Sequence, residues 1–313
     1  MADPDWERGV IERLASQGLK EQRRARRWGI FFKFLTFAYL TVFLLTVTDW
    51  KPEAELSDGT GHTALIDVDG VIESEGNVSA DNITGSLQQA FKDKSTRGVI
   101  LRINSPGGSP VQSGIIYDEI RRQRGLHPDI KIYAVVEDLC ASGGYYIASA
   151  ADAIYVDKAS LVGSIGVIMD QFGFVGSLDK LGVERRVLTS GENKAFLDPF
   201  SPLKPEHAAH AKQMLAEIHQ QFIDVVKKGR GSRLKESPEL FSGLFWTGAK
   251  SIELGLADHF GNVESVARDV IKAENIIDYT QKESLAERFA KRFGTSMANA
   301  LAGTYVREGF SLR

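Results

Sequence analysis

The sequence predicts an α/β domain with a mostly parallel sheet and βαβ crossovers, preceded by one N-terminal transmembrane helix. From residue 62 onward, short runs rich in Val, Ile and Leu alternate with longer segments in which apolar residues have helical spacing. Such alternation is typical of parallel sheets whose strands are joined by right-handed helical crossovers. An apolar run near the N-terminus predicts the transmembrane helix.

The apolar run covers residues 28–48 (WGIFFKFLTFAYLTVFLLTVT) and contains one charged residue, Lys33. Its length matches a membrane-spanning helix, and Lys33 is close enough to one end for its amine to reach the interface. Arginines at positions 23, 24, 26 and 27 precede the run, so the positive-inside rule places residues 1–27 in the cytoplasm as a basic tail. We therefore expect a single-pass anchor in the inner (cell) membrane, with the rest of the chain in the periplasm.

Two other interpretations of the apolar run are weaker. A cleaved signal peptide is one, but the run is long for a signal h-region and no small-x-small cleavage site follows it. A buried helix of a soluble domain is the other, but such helices usually keep a polar stripe. An uncleaved anchor is the favoured interpretation.

The rest of the chain divides into a linker, a domain and a C-terminal extension. Residues 49–61 are rich in Asp, Glu, Pro, Gly and Ser, which predicts a linker. Apolar runs bounded by turn residues predict strands at 63–72, 98–103, 130–136, 153–156 and 183–188. Helical spacing predicts helices at 80–94, 111–124, 143–151, 204–228, 249–256 and 263–273. The domain is expected over 62–275, and in the extension, 276–313, the amphipathic segment 285–293 favours a helix.

The composition is that of an ordinary globular protein without intrachain disulfides. Hydrophobic residues make up 43% of the 313 residues and charged residues 25%, with a formal net charge of −3, as in an ordinary globular protein. This charge balance gives no indication of nucleic-acid binding, and we predict no nucleic-acid partner. The one cysteine, Cys140, excludes an intrachain disulfide.

Two glycine-rich motifs each follow a predicted strand and open a predicted helix. The first is Asn-Ser-Pro-Gly-Gly-Ser at 104–109, and the second is Ala-Ser-Gly-Gly-Tyr-Tyr at 141–146. A helix N-terminus presents free backbone N–H groups and a partial positive charge, which an oxyanion requires. Gly107 and Gly108 can turn their amides into a site without an intervening side chain, and the amide of Ser142 or Gly143 would lie nearby. Two helix starts could thus stabilise one tetrahedral intermediate.

Ser142, in the second motif, is the candidate nucleophile. A hydroxyl is a weak nucleophile until a base takes its proton. Lys194 lies 52 positions later (194 − 142) in Gly-Glu-Asn-Lys-Ala-Phe and is the candidate base. A lysine can accept a proton only as the neutral amine, which burial or cationic neighbours favour. Together, Ser142, Lys194 and the two glycine motifs predict a serine hydrolase that uses lysine instead of histidine as its base.

Each signal also has an ordinary structural interpretation. Either glycine motif alone is usually a turn or a helix start, and exposed loop lysines are common. Cys140 is more often a small buried residue than a nucleophile. His207 and His210, three apart on the long predicted helix, could serve a metal or a Ser–His pair, but no cysteine or carboxylate pattern completes such a site. We predict no metal and no cofactor.

Further motifs carry a family resemblance. With the two glycine motifs and Lys194, the segments Gly-Ser-Ile-Gly-Val at 163–167, Trp-Thr-Gly-Ala at 246–249 and Glu-Leu-Gly-Leu-Ala-Asp at 253–258 resemble the signal peptide peptidase A family of Ser/Lys membrane proteases. The resemblance covers about residues 62–275 and is to the short form, with one catalytic domain behind one anchor. It implies a protease domain with a Clp-protease/crotonase-like core. One departure is Cys140, where small residues such as alanine are usual.

The resemblance implies a role for each site residue. Ser142 would be the nucleophile, Lys194 the general base, and Ser164 would hydrogen-bond and orient the lysine amine. Gly108 and Gly143 would supply the oxyanion-hole amides.

The resemblance also implies partners and a substrate class. Members assemble into homo-oligomeric rings in which the nucleophile and the lysine can come from neighbouring subunits, and the substrates would be remnant signal peptides and other unfolded exported polypeptides. Two alternatives remain open. A crotonase-like acyl-CoA enzyme would face the cytoplasm, which the predicted topology and Lys194 disfavour. A catalytically inactive membrane scaffold is disfavoured by the presence of both Ser142 and Lys194.

Overall fold

The computed structural model describes residues 22–24, 26–43, 61–235 and 237–281. The described residues from 61 to 281 belong to one compact unit, and those from 22 to 43 belong to another. The first part of the predicted basic tail, the end of the predicted anchor, nearly all of the linker and the chain from residue 282 onward lie outside the described residues.

Helix α1 (residues 26–43) contains most of the predicted anchor, and its apolar side chains are exposed. Trp28 packs its ring on Phe31 and Phe32 along the helix, with centroids 5.7 and 5.6 Å away. Among the described residues, no helix combines the length and the apolar character that crossing a membrane requires.

A mostly parallel sheet organises the larger unit, which confirms the predicted α/β class. Its strands are β1 (His62–Asp69), β2 (Thr96–Ser105), β3 (Lys131–Ala141), β4 (Ala153–Val156), β5 (Leu161–Gly163), β6 (Phe245–Thr247), β7 (His259–Phe260) and β8 (Ile276–Asp278). The strand order is β6-β5-β3-β2-β1-β8, and β4 pairs with β3 and β7. Only β6, against β5, pairs in the antiparallel direction among these strands.

Helical crossovers connect the central strands and cover the sheet. The helices are α2 (Ala80–Lys92), α3 (Pro110–Leu126), α4 (Gly143–Ala148), α5 (Val175–Leu181), α6 (Pro205–Arg230), α7 (Gly248–Glu253) and α8 (Val263–Ser265). The last of these continues as a π-helix, Val266–Ile271, where the sequence predicts a single α-helix. Because α2 joins β1 to β2 and α3 joins β2 to β3, the βαβ units predicted from the alternation are present.

Strand side chains alternate between two buried faces of the sheet. Ile66 of β1 and Leu101 of β2 belong to the larger hydrophobic core. Their neighbours Leu65 and Ile100 belong to a smaller core on the opposite face. This two-sided burial is typical of strands in a parallel sheet and explains their nearly continuous apolar sequences. Burial on both faces also holds the ends of β2 and β3 rigidly, and the two glycine motifs lie at these ends.

Residues 183–188 and 276–278 also differ from the prediction. Residues 183–188, predicted as a strand from their valines and leucine, pair with no strand in the described part of the chain, and Leu188 is 99% exposed. A β-propensity without a neighbouring strand edge does not form a strand. Conversely, residues 276–278, assigned by the sequence to the extension, form β8, because they can pair in parallel with β1 at the sheet edge.

Candidate active site

Ser142 lies at a strained turn between β3 and α4. The last residue of β3, Ala141, pairs with Gly163 of β5, and the Ser142 N–H donates to the Gly163 carbonyl at 2.9 Å. Ser142 then adopts φ 50° and ψ −119°, and α4 begins at the next residue. Such a conformation costs a side-chain-bearing residue about 1–3 kcal/mol and is most common at functional sites. The turn resembles the strained strand-to-helix turns that expose catalytic serines in other folds.

The first glycine motif is held against the chain segment that follows β1. The Ile72 N–H donates to the Gly107 carbonyl at 2.9 Å, and the Ser109 N–H donates to the Ile72 carbonyl at 2.8 Å. A Cβ added to Gly108 would lie 2.1 Å from the Ile72 carbonyl oxygen, and φ at Gly108 is 153°. Only glycine fits this close backbone contact.

The backbone amides of Gly108 and Gly143 lie close together, and their N–H groups are available to bind a ligand. A Cβ on Gly143 would lie 3.3 Å from Gly108 N, so the two backbones approach each other closely. Within the described residues, neither N–H donates a hydrogen bond to a protein acceptor. Paired free amides beside a nucleophilic hydroxyl can bind the oxyanion of a tetrahedral intermediate.

These groups open into a cleft of about 560 Å³, which we call the active-site cleft. Its lining combines the two glycine turns with residues from α3, α4, α6, the segment after β5 and the loop before β6. The lining residues are Pro106, Gly108, Pro110, Ser113, Ser142, Gly143, Tyr146, Ser164, Gly166, Val167, Ile168, Ile218, Gln221, Phe222, Ser242 and Gly243. None of these described side chains is charged, so the cleft offers shape, hydroxyls and amides but no ionisable base.

One wall of the cleft is largely apolar. The rings of Tyr146 and Phe222 lie 5.1 Å apart between centroids, and Ile218 lies one turn before Phe222 on α6. Burial is the main reason why the pKa of Tyr146 is raised, with smaller contributions from Asp118 and Tyr117. Tyr146 therefore presents a neutral phenol, and this wall suits apolar side chains of a substrate.

Ser164 follows β5 and lies in the same cleft as Ser142. Its N–H donates to the Leu244 carbonyl at 2.8 Å, and its φ of 53° places it in the left-handed region. The hydroxyls of Ser142 and Ser164 have no hydrogen-bond partner among the described residues. Both are thus free to bind a substrate or a basic side chain.

Lys194 is not brought into the cleft of its own chain. It is exposed on the turn 191–197 between α5 and α6, where its N–H donates to the Gly191 carbonyl at 3.1 Å. The turn is docked on α6, because His207 Nε2 lies 3.1 Å from Asn193 Oδ1 and the Phe196 ring packs on His207 with a centroid distance of 5.1 Å. The structure thus unites Ser142, Ser164, Gly108 and Gly143 and leaves Lys194 outside.

The other candidate nucleophile and bases have structural partners. Cys140 is fully buried, and burial raises the pKa of its thiol, so it does not form a thiolate. His207 and His210 both pack on Phe196, and the imidazole of His219 donates to the Ile165 carbonyl at 3.1 Å. Among the described residues, no group of three or more His, Cys, Asp or Glu side chains could hold a metal ion.

The residues that α6 and the loop before β6 contribute to the cleft could not be predicted from the sequence. Ile218 and Phe222 are spaced i, i+4 and therefore share one face of α6. That spacing predicts an apolar face, but it does not distinguish a face in the core from one that lines a cleft. Ser242 and Gly243 have no recognisable motif, and only the antiparallel pairing of β6 with β5 brings them to the site.

Comparison with known proteins identifies similar chains. Residues 125–276 match the model of the family described as Peptidase family S49. A "Putative signal peptide peptidase SppA" of Enterococcus faecium is 30% identical over 271 residues, which cover 83% of this chain and 76% of that protein. "Protease 4" of Haemophilus influenzae is 31% identical over 229 residues, or 72% of this chain and 36% of that protein.

A longer relative carries a different name. A protein of Brucella abortus named "Na(+)/H(+) antiporter NhaA" is 50% identical over 191 residues, which are 61% of this chain and 26% of that protein. The chain therefore spans about a quarter of the length of this relative.

Proposed function

Because the chain belongs to peptidase family S49, we propose that it is a serine endopeptidase that cleaves peptide bonds through an acyl-enzyme, with Ser142 as the nucleophile. The observation that carries the proposal is the strained Ser142 turn. Its hydroxyl lies in one cleft with the Gly108 and Gly143 amides, and none of these groups has a hydrogen-bond partner among the described residues. The parallel βαβ core with its two glycine turns also supports a Clp-protease/crotonase-like fold.

The proposed reaction has two halves. Ser142 Oγ attacks the substrate carbonyl while its proton passes to the neutral amine of Lys194, and the Gly108 and Gly143 amides bind the oxyanion. The protonated lysine then gives its proton to the leaving amine, which departs and leaves the acyl-enzyme. Water, deprotonated by the same lysine, hydrolyses the ester. Ser164 would hold the lysine amine towards Ser142.

We propose that the lysine comes from a neighbouring subunit of a homo-oligomeric ring. The uncharged lining of the cleft supports this, because the described lining residues include no base while Lys194 is exposed on the outside. The segment that carries Lys194 also exposes large apolar side chains, among them Phe172, Leu181 and Leu188. Exposed apolar side chains at this density are typical of a surface that another protein covers.

The apolar wall of the cleft supports a substrate class. Extended segments with small or apolar side chains would fit along the wall formed by Tyr146, Ile218 and Phe222. Remnant signal peptides have apolar h-regions of this kind. We propose these peptides, and unfolded exported polypeptides more generally, as the substrates.

An active-site serine probe tests the proposed nucleophile. The full-length protein, purified in detergent, is labelled with a fluorophosphonate, and the adduct is located by mass spectrometry. We expect one adduct, on Ser142, because only an activated hydroxyl beside an oxyanion hole reacts efficiently. A protein that hydrolyses peptides but carries its adduct on another residue, or no adduct, would contradict the assignment.

We also propose a membrane topology: residues 28–48 anchor the chain, residues 1–27 are cytoplasmic and the protease domain is periplasmic. The arginines before the apolar run support it. Alkaline phosphatase, which is active only outside the cytoplasm, should be active when fused after residue 60 and inactive when fused after residue 20. The opposite pattern would exclude this orientation.

A further inference from the structure

We propose that the Tyr145 hydroxyl, together with the buried Arg230–Asp258 ion pair, is a positioning device that fixes the start of α4 and therefore the direction of the Ser142 hydroxyl. We call the loop that joins them, Gly255–Asp258, the anchoring loop. The inference rests on the proposed role of Ser142 and adds residues that do not touch the substrate.

The strained start of helix α4 must be held by contacts from other elements. It has six residues, Gly143–Ala148, and it begins at a strained residue that has no side-chain cap. A helix this short has few hydrogen bonds of its own with which to hold a strained start. Tyr145, three residues after Ser142, is fully buried and donates its hydroxyl to the Leu256 carbonyl of the anchoring loop at 2.8 Å.

Arg230 and Asp258 hold the anchoring loop in place. The Arg230 guanidinium donates from Nε to the Gly255 carbonyl at 2.8 Å and from both Nη atoms to the Asp258 carboxylate, at 2.9 and 2.7 Å. Asp258 Oδ2 also accepts the Ile154 N–H of β4 at 2.8 Å. Arg230 is 1% exposed, so loss of the Asp258 carboxylate would leave its guanidinium buried without that partner. Arg233, whose Nη1 lies 3.2 Å from Asp258 Oδ1, is a second partner of the carboxylate. Both ends of the loop are thus fixed.

The same arginine connects the loop to the wall of the cleft. Arg230 is the last residue of α6, the helix whose Ile218 and Phe222 line the cleft. The neighbouring residue Gly229 lies directly against the end of α4, because a Cβ there would be 2.0 Å from the carbonyl oxygen of Ser149, the residue that follows the helix. Nucleophile helix, anchoring loop and cleft wall therefore form one hydrogen-bonded, close-packed assembly.

Tyr145→Phe tests the inference with the smallest change, because it keeps the ring and removes only the hydroxyl. We expect kcat to fall about 10- to 100-fold with KM nearly unchanged, since small misplacements of a reacting group have effects of this size. The rate of fluorophosphonate labelling at Ser142 should fall by a similar factor. Tyr117→Phe is the matched control, because the Tyr117 hydroxyl is buried without a hydrogen-bond partner in the described residues. This control should keep wild-type kcat.

A purely structural role gives a different result. It would lower the Tm of Tyr145→Phe but leave kcat and the labelling rate at wild-type values when the protein is assayed well below its Tm, and that outcome would overturn the inference. If Tyr145→Phe does not fold, Arg230→Lys, which keeps the charge but loses the forked contacts, is assayed as the oligomer isolated by size exclusion. It should show the same selective loss of kcat, and wild-type kcat would again overturn the inference.

The inference and the proposed function fail in distinguishable ways. If Ser142→Ala retains activity, Ser142 is not the nucleophile, and both fail. If Ser142→Ala is inactive while Tyr145→Phe keeps wild-type kcat and the wild-type labelling rate, Ser142 remains the proposed nucleophile. Only the positioning role of Tyr145 is then wrong.

Discussion

Replacement of Ser142 by alanine is expected to lower kcat/KM for peptide hydrolysis by at least about 10³-fold, the scale on which serine hydrolases lose activity without their nucleophile. The remaining rate would come from the oxyanion amides and substrate binding alone. The fold should persist, because the hydrogen bonds of Ser142 in the structure use its backbone: its N–H donates to Gly163, and its carbonyl accepts the Tyr146 N–H at 2.9 Å. Hydrolysis of a fluorogenic peptide, with Tm and oligomer size measured in parallel, checks this result.

Ser177→Ala is the control for this variant. Ser177 is exposed on α5 and does not line the cleft, so its loss should leave activity unchanged. A Ser142→Ala protein that keeps more than a few per cent of wild-type activity would exclude Ser142 as the nucleophile.

Lys194→Arg is expected to be as inactive as Lys194→Ala, because arginine stays protonated in proteins and cannot accept the serine proton. Both variants should fold normally, since the exposed Lys194 side chain makes no hydrogen bond or ion pair in the described part of the chain. In the wild type, kcat/KM should rise with pH, because the base must be the neutral amine. Lys180→Arg, an exposed lysine on α5, should keep full activity. An active Lys194→Arg enzyme would rule out the lysine base and return attention to the histidines.

Mixed oligomers test where the lysine acts. If Lys194 serves the Ser142 of a neighbouring subunit, co-expression of Ser142→Ala with Lys194→Ala should restore part of the activity, because some sites then combine an intact serine with an intact lysine. If the lysine acts within its own chain, no such site forms and the mixture stays inactive. Recovery in the mixture, with each variant inactive alone, is the expected result.

The strands and helices that position the glycine turns could be predicted because their signals are local. The apolar runs of β1, β2 and β3 and the helical spacing of α2, α3 and α6 lie within single segments, and the structure contains all six elements close to the predicted bounds. Residues 183–188 and β8 could not be assigned in this way. Whether a short apolar run becomes a strand depends on a partner strand beside it. Residues 276–278 find one in β1, whereas residues 183–188 have none in the described part of the chain.

For the candidate site, the chemical groups and their local supports can be predicted from neighbouring residues. Ser142 and Gly108 lie in turns whose glycines and adjoining strands can be recognised from neighbouring residues, because turn and helix-start chemistry acts over a few positions. Tertiary structure alone decided that the Gly108 and Gly143 amides converge, that α6 forms the cleft wall and that Lys194 lies outside it. It also decided the pairing of Arg230 with Asp258 across 28 positions (258 − 230). Contacts of this kind depend on how separate elements pack against one sheet, and no periodicity within a single element encodes that packing.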